Sequence, residues 1–348
     1  MSKIDITQLV RPMVREITSY RSARDDFEEF EAQKVFLDAN ENPYKSIANR
    51  YPDPLQRQLK RTLAKIKGVE ANQILFGNGS DEVLDLVFRS FCEPGQDEVI
   101  VLPPTYGMYA VLAQINNVKV NTVPLNESFQ LDLEGIIKQV NVNTKVIFVC
   151  SPNNPTGNSI PLEQIQNLLN QFYGLVVVDE AYVDFSTKGS AIRLLDDYPH
   201  LMICQTFSKA YGLAGIRLGM GIADSKIIDY FNKIKPPYNV NVLTQKTAYN
   251  SLNDQNTTKG HVKELLAERQ KLEKDLLNID FVNKIYPSDA NFLLIQVDNA
   301  SKRYDQLLSL DIVVRNRSSL LGCENTLRIT VGTPQENIRL INACKTIK

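Results

Sequence analysis

Between about positions 73 and 223 the chain alternates short apolar runs with stretches whose apolar residues recur every three or four positions. The runs fall at 74–76, 98–102, 119–123, 145–150, 175–178, 202–206 and 218–222, and several consist largely of Val and Ile. Continuous apolar runs of this length predict strands buried on both faces. The intervening patterns predict helices, for example over 81–91 and 162–172. Such alternation builds a mainly parallel sheet sandwiched by helices and linked by right-handed crossovers, an α/β domain.

After about Asn250 the pattern changes. A charged helical stretch over 262–277 is followed by a strand at 291–297, a helix at 302–310 and strands at 312–315 and 326–331, a smaller α+β domain. The first 40 residues are too polar to form a core of their own, so they are expected to pack on that second domain or on a neighbouring subunit. The organisation that follows is an arm over 1–40, a large domain over 41–250 and a small domain over 251–348, with the N-terminal segment joining the small one.

A chain of 348 residues suits two domains, since single domains run to roughly 100–200 residues. A formal net charge of -1 supplies no general attraction for nucleic acid or an anionic membrane, which leaves small molecules as the expected ligands. No stretch approaches the roughly 20 apolar residues of a membrane span, and the first residues have no apolar run of signal-peptide length, so a cytoplasmic location is expected. The cysteines Cys92, Cys150, Cys204, Cys323 and Cys344 are scattered and odd in number, as reduced packing residues would be. The two histidines, His200 near a turn and His261 at an expected helix start, read as solvated positions. Neither has a partner at a metal-ligand spacing, so no metal is expected, and another group must carry protons.

In a parallel sheet, ligands bind beyond the carboxyl ends of the strands. After the first run comes Gly77-Asn78-Gly79-Ser80-Asp81, opening a helix whose free N–H groups can hold a phosphate. Ser151-Pro152-Asn153-Asn154-Pro155-Thr156-Gly157 follows the fourth run, and Asp179-Glu180-Ala181-Tyr182 ends the fifth. Asp179 follows an apolar strand directly, where a carboxylate needs a cation or a donor; Glu180 can face away. Thirty positions on, Thr206-Phe207-Ser208-Lys209-Ala210-Tyr211-Gly212 leads to Gly215-Ile216-Arg217. Taken singly these are a capped helix, a connecting turn and a surface lysine. Their joint order at strand ends argues for a site.

That order resembles the aspartate-aminotransferase-like, fold-type I pyridoxal-phosphate superfamily over nearly the whole chain. The resemblance implies pyridoxal 5'-phosphate as cofactor, attached covalently to Lys209, whose pKa burial and Arg217 would lower. It places Asp179 against the pyridine nitrogen, keeping it protonated. It implies further that Asn154 and Tyr182 bind the ring oxygen, that Tyr106 stacks on the ring, and that Gly79, Ser80, Asp81, Ser208 and Arg217 surround the phosphate. For Tyr106 alone, an ordinary core aromatic is the alternative.

Several segments narrow the likeness to the histidinol-phosphate aminotransferases. They are Leu9-Val10-Arg11-Pro12, Tyr20-Arg21-Ser22-Ala23-Arg24, Leu37-Asp38-Ala39-Asn40-Glu41-Asn42-Pro43-Tyr44, Arg50-Tyr51-Pro52-Asp53, Pro104-Thr105-Tyr106-Gly107-Met108-Tyr109 and Leu327-Arg328-Ile329-Thr330-Val331-Gly332-Thr333. This implies histidinol phosphate and glutamate or 2-oxoglutarate as substrates, with Arg315 and Arg328 receiving their anionic groups and Tyr20 and Asn40 as further contacts. Surface ion pairing is the alternative for the arginines. It also implies a homodimer in which Tyr51 reaches the neighbour's cofactor phosphate. In departure from the commoner pattern, Lys209 is followed by Ala-Tyr-Gly, and the chain has no Trp. A threonine-phosphate decarboxylase-like lyase and an aromatic-amino-acid aminotransferase share the scaffold and stay open as alternatives. A non-catalytic sensor joined to a DNA-binding module is disfavoured, because no such module precedes the cofactor region.

Overall fold

The computed structural model describes residues 4–20, 22, 24 and 35–347. Seven strands form the larger sheet: β1 (Ile74–Asn78), β2 (Glu98–Val101), β3 (Lys119–Thr122), β4 (Thr144–Cys150), β5 (Leu175–Asp179), β6 (Leu201–Thr206) and β7 (Leu218–Ala223). Their order is β1-β7-β6-β5-β4-β2-β3. Strands β2 to β6 are mutually parallel, whereas β7 runs antiparallel to both of its neighbours. The chain therefore leaves β6 and returns immediately beside it, and the loop between them stays at the carboxyl edge of the sheet.

Helices in chain order are α1 (Ile6–Leu9), α2 (Pro12–Glu16), α3 (Arg57–Lys67), α4 (Ser80–Phe91), α5 (Met108–Ile115), α6 (Leu133–Gln139), α7 (Leu162–Leu169), α8 (Ser225–Ile234), α9 (Val242–Asn253), α10 (Gln255–Leu276), α11 (Ala300–Ser309) and α12 (Pro334–Thr346). The period-two alternation of a strand sorts the apolar runs between two cores. Ile147, Val149, Val176 and Val178 point into one, under α3, α6, α7 and α9. Phe148, Leu175 and Val177 point into the other, under α4, α5 and α8.

The smaller sheet is antiparallel, in the order β10-β11-β9-β8, with β8 (Val282–Ile285), β9 (Phe292–Val297), β10 (Arg315–Asn316) and β11 (Thr326–Thr330). One face of this sheet packs on α10, α11 and α12 through Leu293, Ile295, Leu327 and Ile329. The strand expected over 312–315 is reduced to two residues. Ile312 instead closes the turn after α11, where its N–H meets the Leu307 carbonyl at 2.9 Å.

Three expectations change. Residues 6–14 pack on the large domain, not the small one: Ile6, Val10 and Val14 are buried in the α4/α8 core, and Arg11 donates to the Ser90 carbonyl at 2.9 Å. Most of the arm over 21–34 lies outside the described residues. His200 is buried rather than solvated, with its Nε2 3.2 Å from the Leu169 carbonyl. His261 lies inside α10, which begins earlier, at Gln255, because Asp254 caps it by accepting from the Thr257 N–H. The five cysteines are buried and free, and no helix among the described residues is long and apolar enough to cross a membrane.

Gly219 on β7 lets the start of α4 lie directly against the sheet, since a Cβ there would fall 2.2 Å from the Ser80 nitrogen and 2.4 Å from the Gly79 carbonyl carbon. Both obstacles are backbone and cannot swing aside. Gly219→Ala is therefore expected to destabilise the protein by about 1–3 kcal/mol, read as a lowered urea midpoint at unchanged slope.

Candidate active site

The carboxyl ends of β1, β4, β5 and β6 meet around a cavity of about 150 Å³. Ser80, Asp81, Tyr106, Asn154, Asp179, Tyr182, Ser208, Lys209 and Arg217 all line it, with Cys150, Ala181, Thr206 and Ala214 between them.

Asp179 forms the floor. By strand alternation it faces the same side as Leu175 and Val177, toward α5, and there Tyr109 donates its hydroxyl to Oδ2 at 2.7 Å. The Ala181 N–H donates to Oδ1 at 3.1 Å. No cation pairs with this carboxylate among the described residues, and at 3% exposure its burial raises the pKa to about 6 despite both donors. Glu180 takes the opposite face and is fully met there by Ser190 Oγ, the Ala191 N–H and Gln205 Nε2 at 2.6–2.8 Å. One carboxylate is thus satisfied within the fold, and the other is held ready for a cation.

At the other end lies an anion cradle. Helix α4 begins after Gly79, φ 78°, with no side chain capping its N–H groups. Its start points into the cavity next to Ser208 and Arg217. A Cβ on Gly79 would meet Arg217 Nη2 at 2.6 Å, so glycine serves both the turn and the guanidinium's close approach. Asp81 holds that end together: its Oδ1 accepts from Tyr106 at 3.0 Å, and its Oδ2 lies 3.7 Å from Arg217. Ser208 is fixed by Thr206, whose hydroxyl donates to Ser208 Oγ at 3.0 Å and accepts the Ser208 N–H at 3.1 Å.

Lys209 projects from the β6–β7 loop, with Nζ 5.5 Å from the Tyr182 ring centroid. Burial lowers its pKa, and the nearby cations Arg328 and then Arg217 lower it further. Tyr182 in turn packs edge-on against Phe292 of the small sheet at 5.1 Å. Arg328 on β11 crosses between the domains to donate to Asn154 Oδ1. The Asn154 loop is tied to Pro103–Gly107 by its neighbour Asn153, which donates to the Pro104 carbonyl at 2.8 Å and accepts from Thr105 at 3.0 Å.

Arg315, which is exposed, lies opposite Arg328 across β10 and β11, and neither arginine lines the cavity itself. Tyr20 (76% exposed), Asn40 and Tyr51 do not line the cavity. Tyr51 stacks on Tyr238, with centroids 4.4 Å apart, on the wall of a separate open groove of about 840 Å³. Tyr109 was given no role by the sequence alone. The signal was present: it sits three positions after Tyr106 at the start of a helix, on the side that Asp179 must face.

Residues 25–344 match the family described as Aminotransferase class I and II. The histidinol-phosphate aminotransferase of Christiangramia forsetii is 56% identical over 348 residues, spanning 100% of this chain and 99% of that one. Among solved structures, the histidinol-phosphate aminotransferase of Clostridium acetobutylicum superposes with a TM-score of 0.80 at 26% identity, covering 86% of this chain and 91% of that one. That of Sinorhizobium meliloti, in complex with pyridoxal-5'-phosphate, gives 0.77 at 25% identity, covering 86% and 84%.

The raised pKa of Asp179 has a signed consequence for the protein without cofactor. Below about pH 4 the carboxyl is protonated both folded and unfolded and costs nothing; as pH rises through about 6, the fold must hold an uncompensated charge and loses stability. Asp179→Asn apoprotein is therefore expected to exceed wild type by on the order of 3 kcal/mol at pH 7.5 and to match it near pH 4, in urea titrations at the two pH values. A wild-type apoprotein that is the more stable at pH 7.5 contradicts this.

Proposed function

The chain belongs to the class I and II aminotransferases, and we propose that it exchanges the amino group of histidinol phosphate for the oxo group of 2-oxoglutarate, a step of L-histidine biosynthesis. Its cofactor is pyridoxal 5'-phosphate. The cavity fits that group on two independent counts: a buried carboxylate without a cation at one end, and at the other an uncapped helix start beside a guanidinium, which a Cβ on Gly79 would obstruct. The observation that carries the reading is the convergence of Lys209 and Asp179 at one cavity, where the pKa of the Lys209 amine is lowered and Arg328 holds the lining residue Asn154.

When bound, pyridoxal phosphate supplies an aldehyde carbon for nitrogen exchange and a ring that withdraws electrons from the substrate Cα. Asp179 keeps the ring nitrogen protonated, and Tyr109 holds Asp179 in place. Asn154 and Tyr182 bind the ring oxygen, and Tyr106 covers the ring face. Ser80, Asp81 and Gly79 of the α4 turn, with Ser208 and Arg217, hold the phosphate. Lys209 would hold the cofactor covalently, and its Nζ would take up and return the proton at the substrate Cα. Arg328 and Arg315 receive the phosphate of one substrate and a carboxylate of the other, because a guanidinium fork pairs with both groups.

Tyr51 completes the phosphate site of a second copy in a homodimer, with Tyr20 and Asn40 closing the substrate end. Supporting this, Val35, Leu37, Tyr44 and Ile47 are 78–86% exposed on the segment that leads to Tyr51, an apolar surface a lone subunit would leave in water. Glu41 organises that segment, accepting from the Tyr51 N–H at 2.6 Å and from Arg50 and Arg24 at 2.7 Å each. A cytoplasmic location belongs to the same reading. Full-length likeness to histidinol-phosphate aminotransferases weighs against the lyase and the aromatic aminotransferase.

Histidinol phosphate added to holoprotein is expected to convert the yellow absorbance to that of the aminated cofactor without release of carbon dioxide. Unchanged absorbance, or carbon dioxide evolved from threonine phosphate instead, contradicts the reading. Borohydride reduction should fix the cofactor's mass on the Lys209 peptide, and Lys209→Ala should abolish turnover. Arg328→Ala should raise KM at least tenfold and leave cofactor retention unchanged; equal loss of cofactor contradicts its assignment.

A further inference from the structure

We propose that Arg317 is a specificity-determining residue of this site, a third guanidinium that recognises the phosphate ester of the amino substrate but not the α-carboxylate of glutamate. The inference rests on the function proposed above. The Arg317 N–H donates to the Thr326 carbonyl at 2.9 Å, extending the β10/β11 pairing by one residue. With Arg315 opposite Arg328, strand alternation puts Arg315, Arg317 and Arg328 on one face of the small sheet, while Leu327 and Ile329 point the other way into its core. This is the face from which Arg328 reaches Asn154 in the large domain.

The cluster lacks compensation. The buried arginines Arg24 and Arg303 are paired, with Asp38 and Glu41 and with Asp298, whereas Arg317 and Arg328 are half-buried and Arg315 is exposed. Among the described residues, none of the three clustered arginines forms an ion pair, and Arg317 Nε is buried without a hydrogen-bond partner. Burial and the charges of Arg328 and Arg315 lower the pKa of Arg317, and its charge in turn acts on Tyr182 in the cavity. Three adjacent cations with no anion are costly unless a ligand supplies the negative charge.

Substrate geometry separates the third arginine from the other two. A carboxylate joined directly to Cα offers two oxygens, which one or two guanidinium forks satisfy. In a phosphate ester on the neighbouring carbon, phosphorus lies three bonds from Cα and offers three oxygens. It reaches further into the cluster and has an oxygen to spare for a third fork. Arg317 therefore acts on binding of one amino donor and not on the proton transfer common to both.

The test compares Arg317→Gln and Arg317→Lys with wild type, using histidinol phosphate and glutamate as separate donors. Arg317→Gln is expected to raise KM for histidinol phosphate about ten- to a hundredfold, to leave its kcat within about twofold and to change KM for glutamate less than about threefold. Arg317→Lys should recover part of the loss. The penalty should grow from pH 5.5 to 7.5, as the phosphate loses its second proton near pH 6. Unchanged KM for histidinol phosphate, or equal losses with both donors, overturns the proposal. If wild type does not accept histidinol phosphate, the proposed function fails, and inorganic phosphate competing against glutamate then tests Arg317 alone: its inhibition constant must rise in Arg317→Gln, and an equal constant overturns the inference.

Discussion

One buried carboxylate sets the terms for the rest of the site. Asp179 stands at the end of a strand whose preceding residues are buried on both faces, and among the described residues it has two donors but no ion pair, only the weaker field of Lys209. A folded protein tolerates such a group only at a cost in stability, unless a ligand brings the missing cation. Residues elsewhere in the cavity then have complementary tasks. The α4 turn and Arg217 are placed to meet an anion, burial and neighbouring cations lower the pKa of Lys209, and Tyr182 and Asn154 line the same cavity. A flat molecule with a cationic ring nitrogen, a carbonyl carbon and a phosphate answers all of these demands together.

Topology delivers these groups without long excursions of the chain. Because β7 returns antiparallel to β6, the Lys209 loop remains on the edge where β4 and β5 end, and Arg217 arrives at the head of the returning strand. The small domain closes the other side. Its loop binds the large domain through the Asp289 N–H on the Gly157 carbonyl, and Phe292 packs on Tyr182 while Arg328 holds Asn154. The arginines proposed to recognise substrate and the residues proposed to hold the cofactor thus sit on different domains joined by a few specific contacts. A shift between the domains would alter substrate binding before it altered cofactor retention.

The large sheet was legible because a strand buried on both faces leaves a continuous apolar run, as in six of its strands, whereas the edge strand β3 is largely exposed and was marked only by Val120 and Val123. The antiparallel sense of β7 was not, since direction leaves no periodic trace. Short exposed strands were equally hard to read: β8 alternates weakly, and β10 pairs over only two residues. Placement of the N-terminal helices on the large domain was missed because Ile6, Val10 and Val14 form too sparse a stripe to show which surface they cover. At the site, residues at strand ends were found through their order along the chain, and the structure gathers them around one cavity. Tyr109 and Arg317 were passed over for a shared reason. Tyr109 is defined by its bond to Asp179 and Arg317 by its place beside Arg328 and Arg315, and such neighbours appear only once register and burial are known. Tyr20, Asn40 and Tyr51, assigned to the site by resemblance, do not line the cavity.

The protonation state of the cofactor's ring nitrogen tests most directly whether Asp179 is built for a cation. In protein reconstituted with ring-15N pyridoxal phosphate, the nitrogen resonance should stay at the protonated position from pH 6 to 9 and move to the neutral position in Asp179→Asn. A ring nitrogen that titrates in wild type as it does in the free cofactor would contradict the account.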